Sequence, residues 1–172
     1  MRPPWFSFLH VADHRGRRVA ILDVDYHHGN GTQDIFYGSA DVLLASIHAN
    51  PAMDYSFYWG HADERGEGAG QGKTVNSPLP RGARIDTYRE ALETACAAVE
   101  AHGTDLLILS YEAEMFEHDP ISRFKLGEGD YAEIGAKIAA LNIPTVVIME
   151  GGYAIDPLSR NVSSLLSASS NS

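Results

Sequence analysis

Apolar residues along this chain gather into short unbroken runs separated by polar and glycine-rich stretches. Four runs, at 19–25 (V-A-I-L-D-V-D), 42–48 (V-L-L-A-S-I-H), 105–110 (D-L-L-I-L-S) and 144–150 (P-T-V-V-I-M-E), lack the alternation of a half-exposed strand. Such runs predict strands covered on both faces, the pattern of a parallel sheet. Between them the spacing changes. Residues 84–101 place Ile85, Tyr88, Leu92, Ala95, Cys96 and Val99 close to a 3.6-residue period, with Gly103 as the stop. A second helix is predicted over 130–141, with Asp130 as N-cap and Pro144 beyond its end, and a third over 157–166. The order strand, strand, helix, strand, helix, strand, helix predicts an α/β fold, a mainly parallel β-sheet flanked by helices.

Residues 49–81 break the pattern. They show no clear period and are rich in Gly, Pro and aromatic side chains. Long connections of this kind inside a domain are usually functional or disordered. Tyr55, Phe57, Tyr58 and Trp59 argue for an ordered surface loop. The serine-rich end, 167–172, reads as a frayed tail.

Composition narrows the function classes. At 172 residues the chain suggests one domain, and 44% hydrophobic residues suffice for a core. Lys plus Arg number 13 against 23 Asp plus Glu, a formal charge of −10, so the footprint of a nucleic-acid binder is missing. No apolar run approaches a membrane span, and the first ten residues lack the features of a signal peptide. The expectation is a soluble, cytoplasmic protein with no membrane contact. The single cysteine, Cys96, excludes an internal disulfide and a cysteine-based zinc site. It falls in an alanine-rich helical stretch and reads as a small buried residue. Metal chemistry is left to the eight His with Asp and Glu.

The strongest chemical signal is Asp23-Val24-Asp25-Tyr26-His27-His28-Gly29-Asn30-Gly31. On a strand, the side chains at 23, 25 and 27 point to one face. Two carboxylates and an imidazole then converge at the carboxyl end of a strand, where open α/β sheets place their ligand crevice. Gathering carboxylates there is costly without a cation or donors, and this donor set suits zinc among the divalent metals. The plainer alternative is that these residues cap the strand and the Gly turn after it.

Two further segments also follow apolar runs and open toward the same crevice. Ser110-Tyr111-Glu112-Ala113-Glu114 offers another oxygen ligand at Glu114, or else a solvated acidic loop. Glu150-Gly151-Gly152-Tyr153 lets the backbone turn sharply and carry a phenol over the sheet end. That hydroxyl either donates to a developing oxyanion or simply packs. The glycine-rich stretch 66–74 ends in Gly72-Lys73-Thr74 but has Glu67 where a phosphate loop needs glycine. It is not read as a nucleotide site.

Taken in order, these motifs resemble the zinc-dependent deacetylase superfamily of histone deacetylases, acetylpolyamine amidohydrolases and acetoin-utilisation proteins. The resemblance is carried by D-V-D-Y-H-H-G-N-G-T-Q at 23–33, S-I-H at 46–48 and G-H-A-D-E-R-G-E-G-A-G at 60–70. F-E-H-D-P-I-S-R-F-K-L at 116–126 and E-G-G-Y at 150–153 extend it. They look closest to the bacterial class-II-like and acetylpolyamine branch. The resemblance covers residues 18–161 and implies an arginase/deacetylase-type fold. It implies hydrolysis of an acetylated small amine or acetyl-lysine. Asp25 and His27 would be zinc ligands, and Glu114 stands at the third ligand, an aspartate in the family. Tyr153 would supply the transition-state hydroxyl and His28 would stand behind the ligands. Asp23 and Ser46, with main-chain oxygens near Asp25 and His27, match a potassium site. Phe36, Ser39 and Val42 match carbonyls lining a second monovalent cation site.

The chain also departs from the family. The family's tandem His pair, its general base and acid, follows R-P-P-G. Here Arg2-Pro3-Pro4 runs into Trp5-Phe6-Ser7, leaving His10 and His14 as the only upstream imidazoles. Glu112 and Glu114 stand where the family has Gly and Asp. The expected layout is a divergent N-terminal segment at 1–18, a partial deacetylase-like domain at 19–166 and a tail at 167–172, N-terminally truncated relative to the family. A truncated sheet leaves an apolar edge or face, so a homo-oligomer is expected. Two functions follow from the resemblance. One is a zinc-dependent amidohydrolase weakened by the absent His pair. The other is a non-catalytic metal-binding remnant acting as a binding or assembly module.

Overall fold

The computed structural model describes residues 17–169. His10, His14 and most of the segment 1–18 therefore lie outside the described residues. The chain alternates β1 (Val19–Val24), α1 (Asn30–Phe36), β2 (Val42–Ala49), β3 (Thr74–Leu79), α2 (Ile85–His102), β4 (Leu106–Tyr111), α3 (Asp130–Ala139), β5 (Thr145–Met149) and α4 (Ile155–Ser169). The five strands form one sheet in the order β3-β2-β1-β4-β5, and every pairing is parallel.

The sheet buries its two faces unequally. Ala20, Leu22, Val24, Leu43, Ala45, Ile47, Leu107, Leu109 and Tyr111 point to the larger core. There they meet Tyr88, Leu92, Ala95 and Val99 of α2 and Tyr131, Ile134 and Ile138 of α3. Cys96 is buried in the same layer. Val19, Ile21, Val42, Leu44 and Ile108 point the other way, to a smaller cluster closed by Phe36 of α1. Gly103 ends α2 at φ +69°, a left-handed cap that a side chain resists.

Several sequence expectations are corrected. The stretch 49–81 contains β3, which pairs with β2 from Leu44↔Thr74 to Ala49↔Leu79. Its sequence T-V-N-S-P-L hides the strand because Pro78 cannot donate to a ladder, which is tolerated only on an edge strand such as this one. The Gly turn expected after the first strand is followed at once by the two-turn helix α1, for which no helix is predicted. Asp130 is not the N-cap of α3; Gly129 holds that position and the Asp130 carboxylate accepts the Gly127 N–H at 2.7 Å. The expected tail at 167–172 begins as helix, since α4 continues to Ser169. β5 is not covered on both faces. Val146, Val147 and Met149 are about two-fifths exposed, and Val147 with Leu109 lines a cleft of ≈ 480 Å³ beside α3. None of the polar-motif residues at the carboxyl ends of the strands lines that cleft. No helix among the described residues is long and apolar enough to cross a membrane.

Candidate metal centre

The chain leaves β1 toward β2 and β3 on one side, then returns to add β4 and β5 on the other. β1 and β4 are thus neighbours whose connections diverge, and a crevice opens beyond their carboxyl ends. β1 ends at Val24, so Asp25, Tyr26 and His27 fall in the bend just past it. Tyr26 turns into the core against Phe124, ring centroids 4.8 Å apart. The Asp25 carboxylate accepts the Tyr26 N–H, which fixes it at the mouth. After β4, Glu112 remains extended and Ala113–Met115 form one 3₁₀ turn, which drops Glu114 beside β1.

The result is a cluster of Asp25, His27 and Glu114 whose ligand atoms all lie within 4.8 Å of one another. Glu114 Oε2 is 2.7 Å from His27 Nδ1. The contact is close but lacks hydrogen-bond alignment, and this oxygen has no hydrogen-bond partner although Glu114 is 2% exposed. A buried carboxylate oxygen with an unmet valence beside a carboxylate and an imidazole is the donor set of a divalent metal. The residues present fit such an ion.

Charge says the same. Burial, then the neighbouring charges of Glu112, Asp23 and Glu114, push the Asp25 carboxyl well above the ordinary carboxylate range. Glu112 is pushed up to about 8, first by burial and then by the neighbouring charge of Glu114. Asp23 is raised to about 6 by burial, against the opposing bonds from Ser46, the Gly29 N–H and Ser110. Cations lower such values directly, so the cluster favours a positive ligand.

Around these donors runs a buried polar network. The Ser46 hydroxyl lies 3.0 Å from Asp23 Oδ2 and 2.9 Å from His48 Nδ1. His48 Nε2 faces the Gly60 carbonyl at 2.9 Å and so donates to it. Ser46 therefore has one proton for two acceptors. Burial, with His28 beside it, lowers His48 to about 3, so its ring is neutral. His28 Nε2 donates to Gln33 Oε1 at 2.9 Å, and the Gln33 amide donates to Glu64 at 2.6 Å. His28 thus stands behind the cluster rather than in it. Gly29 is needed here, since a Cβ would lie 2.9 Å from Asp23 Oδ2. Phe36, Ser39 and Val42 occupy the end of α1, its connection and the start of β2. The Phe36 carbonyl already accepts the Ser39 N–H at 2.9 Å.

The E-G-G-Y segment closes the far side. At Gly151 a Cβ would meet Glu112 Oε2 at 2.2 Å and Glu114 Oε1 at 2.6 Å, so glycine leaves the room both carboxylates occupy. Gly152 has φ +124°, and a Cβ there would meet Leu158 at 2.7 Å and Ala113 at 3.0 Å. Tyr153 is exposed, and the nearby charge of Glu114 is the main cause raising its phenol. Its backbone is tied down by Asp119, whose Oδ2 accepts the N–H groups of Tyr153 and Ala154 at 2.9 and 3.2 Å.

Sequence reasoning missed Gln33, His48, Gly60, Glu64 and Asn76 as one network, and Asp119 as the anchor of Tyr153. All but Asn76 sit inside the quoted motifs; only their mutual contacts were invisible.

The same architecture is found in known proteins. The family profile of the histone deacetylase domain matches residues 8–169. The chain belongs to the histone deacetylase family. It is 50% identical over 154 residues to acetylpolyamine amidohydrolase 1 of Pseudomonas aeruginosa, covering 90% of this chain and 44% of that protein. It is 45% identical over 156 residues to the acetylpolyamine amidohydrolase of Mycoplana ramosa, covering 91% and 46%. Within the family, the chain thus spans under half the length of these relatives. Among solved structures, acetylpolyamine aminohydrolase from Burkholderia pseudomallei superposes with TM-score 0.87 at 38% identity, over 89% of this chain and 45% of that one. A histone deacetylase homologue from Aquifex aeolicus reaches 0.89 at 26% identity, over 96% and 45%.

Proposed function

We propose that this chain carries the metal-centred portion of a deacetylase-type amidohydrolase site, acting on acetylated polyamines or acetyl-lysine with zinc as its ion. The observation that carries the reading is the convergence of Asp25, His27 and Glu114 around an orphaned buried oxygen beyond β1 and β4. The names of the relatives support an acetylated amine as substrate. Asp25, His27 and Glu114 would hold zinc; when bound, the ion supplies Lewis-acid polarisation of the acetyl carbonyl and an acidified water. Tyr153 donates a hydrogen bond to the oxygen that gains charge at the acyl carbon, and Asp119 positions it through the backbone. His28 and Gln33 hold the bend that carries His27. Asp23 and Ser46 line a potassium site, where a cation relieves the shared-proton shortage between Asp23 and His48. Phe36, Ser39 and Val42 offer carbonyls to a second monovalent ion.

Turnover of fluorogenic acetyl-lysine and of an N-acetylated polyamine, with added zinc and blocked by a hydroxamate, tests this reading. A second reading is a non-catalytic metal-binding module. It is favoured by the two glutamates, Glu112 and Glu114, crowding one another at Gly151. Stoichiometric zinc without any hydroxamate-sensitive turnover would select it.

A further inference from the structure

We infer that Glu112 is a fourth protein donor to the ion held by Asp25, His27 and Glu114, closing the position that an amidohydrolase leaves open for water and the acyl oxygen. The inference rests on the metal reading above and, within it, takes the side of the non-catalytic metal-binding module.

Three observations carry it. First, the Glu112 and Glu114 carboxylates meet beside Gly151, next to the Asp25, His27 and Glu114 cluster, of which Glu112 is not itself a member. The position a Gly151 Cβ would take is 2.2 Å from Glu112 Oε2 and 2.6 Å from Glu114 Oε1. Second, Glu114 Oε2 is buried and has no hydrogen-bond partner. Third, extended backbone at Glu112 followed by a single 3₁₀ turn brings both side chains to the same mouth. Glu112 is only partly buried, so its carboxylate has freedom to swing toward the cluster.

Zinc sites divide by ligand count. Three protein ligands leave a place for water and mark catalysis, whereas four close the shell and mark structure. A glycine at 112, as in the resembled family, contributes no donor, so a three-ligand site stays open. A glutamate there supplies the missing fourth. Two glutamates in place of Gly and Asp thus act together. Their longer stems let two carboxylates reach one ion from adjacent turns, at the expense of the water position.

Cobalt(II) substitution reports coordination directly through its visible bands and does not depend on turnover. The full chain, Glu112→Gly and Glu112→Gln are loaded with cobalt and titrated across the region near pH 7, about where metal-bound water ionises. The present chain should show four-coordinate bands that do not change with pH or with acetohydroxamate. Glu112→Gly should gain a pH-dependent band and a spectral shift on adding acetohydroxamate. Glu112→Gln keeps the shape of the side chain and guards against a folding artefact; it should behave like Glu112→Gly. Identical pH-dependent spectra in all three would overturn the fourth-donor inference while leaving the metal site intact. Failure of every form to bind cobalt would overturn the metal reading itself, and this inference with it.

Discussion

Asp119 accepts the backbone N–H of Tyr153 at 2.9 Å, across 34 residues of sequence, and so ties the loop after β5 to the loop after β4. The same oxygen takes the Ala154 N–H, and Oδ1 takes the Ile121 N–H at 3.0 Å. Asp119→Ala removes an acceptor from three donors at a buried position. The expected cost is about 1–3 kcal/mol in urea unfolding, together with a larger relative loss of any Tyr153-dependent activity. Made in the Glu112→Gly background, Asp119→Ala should lower hydroxamate affinity at constant zinc content, which locates the effect at Tyr153 rather than at the metal.

Metal uptake should be stoichiometric. Elemental analysis is expected to give about one zinc per chain, lost in Asp25→Ala and His27→Ala. Binding only to the folded state stabilises by about 2.7 kcal/mol at a hundredfold excess over Kd, so Tm should rise on adding zinc. An unchanged Tm with no retained zinc would remove the site.

Two glycine substitutions should behave in opposite ways. At Gly151 the new methyl meets the flexible ends of Glu112 and Glu114, which can move aside. Gly151→Ala should therefore weaken zinc binding with little loss of stability. At Gly135 in α3 the methyl would lie 2.2 Å from the Leu165 carbonyl oxygen of α4, which is backbone. Gly135→Ala must separate two packed helices and should destabilise by roughly 1–3 kcal/mol. Paired urea unfolding and zinc titration read both.

The metal-free protein should be most stable between about pH 4 and 6.5, the interval between the unfolded carboxylate and histidine values. Asp23 and Glu112 titrate at about 6 and about 8 when folded, above their unfolded values. The folded state therefore holds the extra protons, and stability falls as pH rises through that range. His48 at about 3 and the lowered His28 act in the opposite sense, since the unfolded state takes protons first as pH drops below about 6.5. Zinc should reduce the alkaline limb, because a cation beside Asp25, Glu112 and Glu114 takes the place of their protons. Tm against pH, with and without zinc, checks both limbs.

β5 ends the sheet with Val146, Val147 and Met149 open on alternate faces. An apolar edge strand invites pairing with another chain. Self-association that rises with concentration, and that Val147→Lys reduces in light scattering, is the expected behaviour.

Much of this protein is determined by sequence alone. Short unbroken apolar runs bounded by turn signals favour buried strands, and the 3.6-residue period at Tyr88, Leu92, Ala95 and Val99 favours a helix with one apolar face. Those signals are local, so β1, β2, β4 and α2 were legible without a structure, as was the acid–histidine motif that follows β1. Tertiary structure decided the rest. β3 was invisible because its hydrogen bonds, not its polar side chains, make it a strand. β5 reads as a buried strand, yet its exposure depends on what packs against it, which no local pattern encodes. The sequence names Glu114 as a third ligand only through its motif; the parallel pairing of β1 with β4 sets it 2.7 Å from His27. The meeting of Glu112 with Glu114 at Gly151 joins segments nearly forty residues apart. Distances of that kind are fixed by strand order and by the turn after each strand, and those are properties of the packed sheet rather than of any stretch of chain.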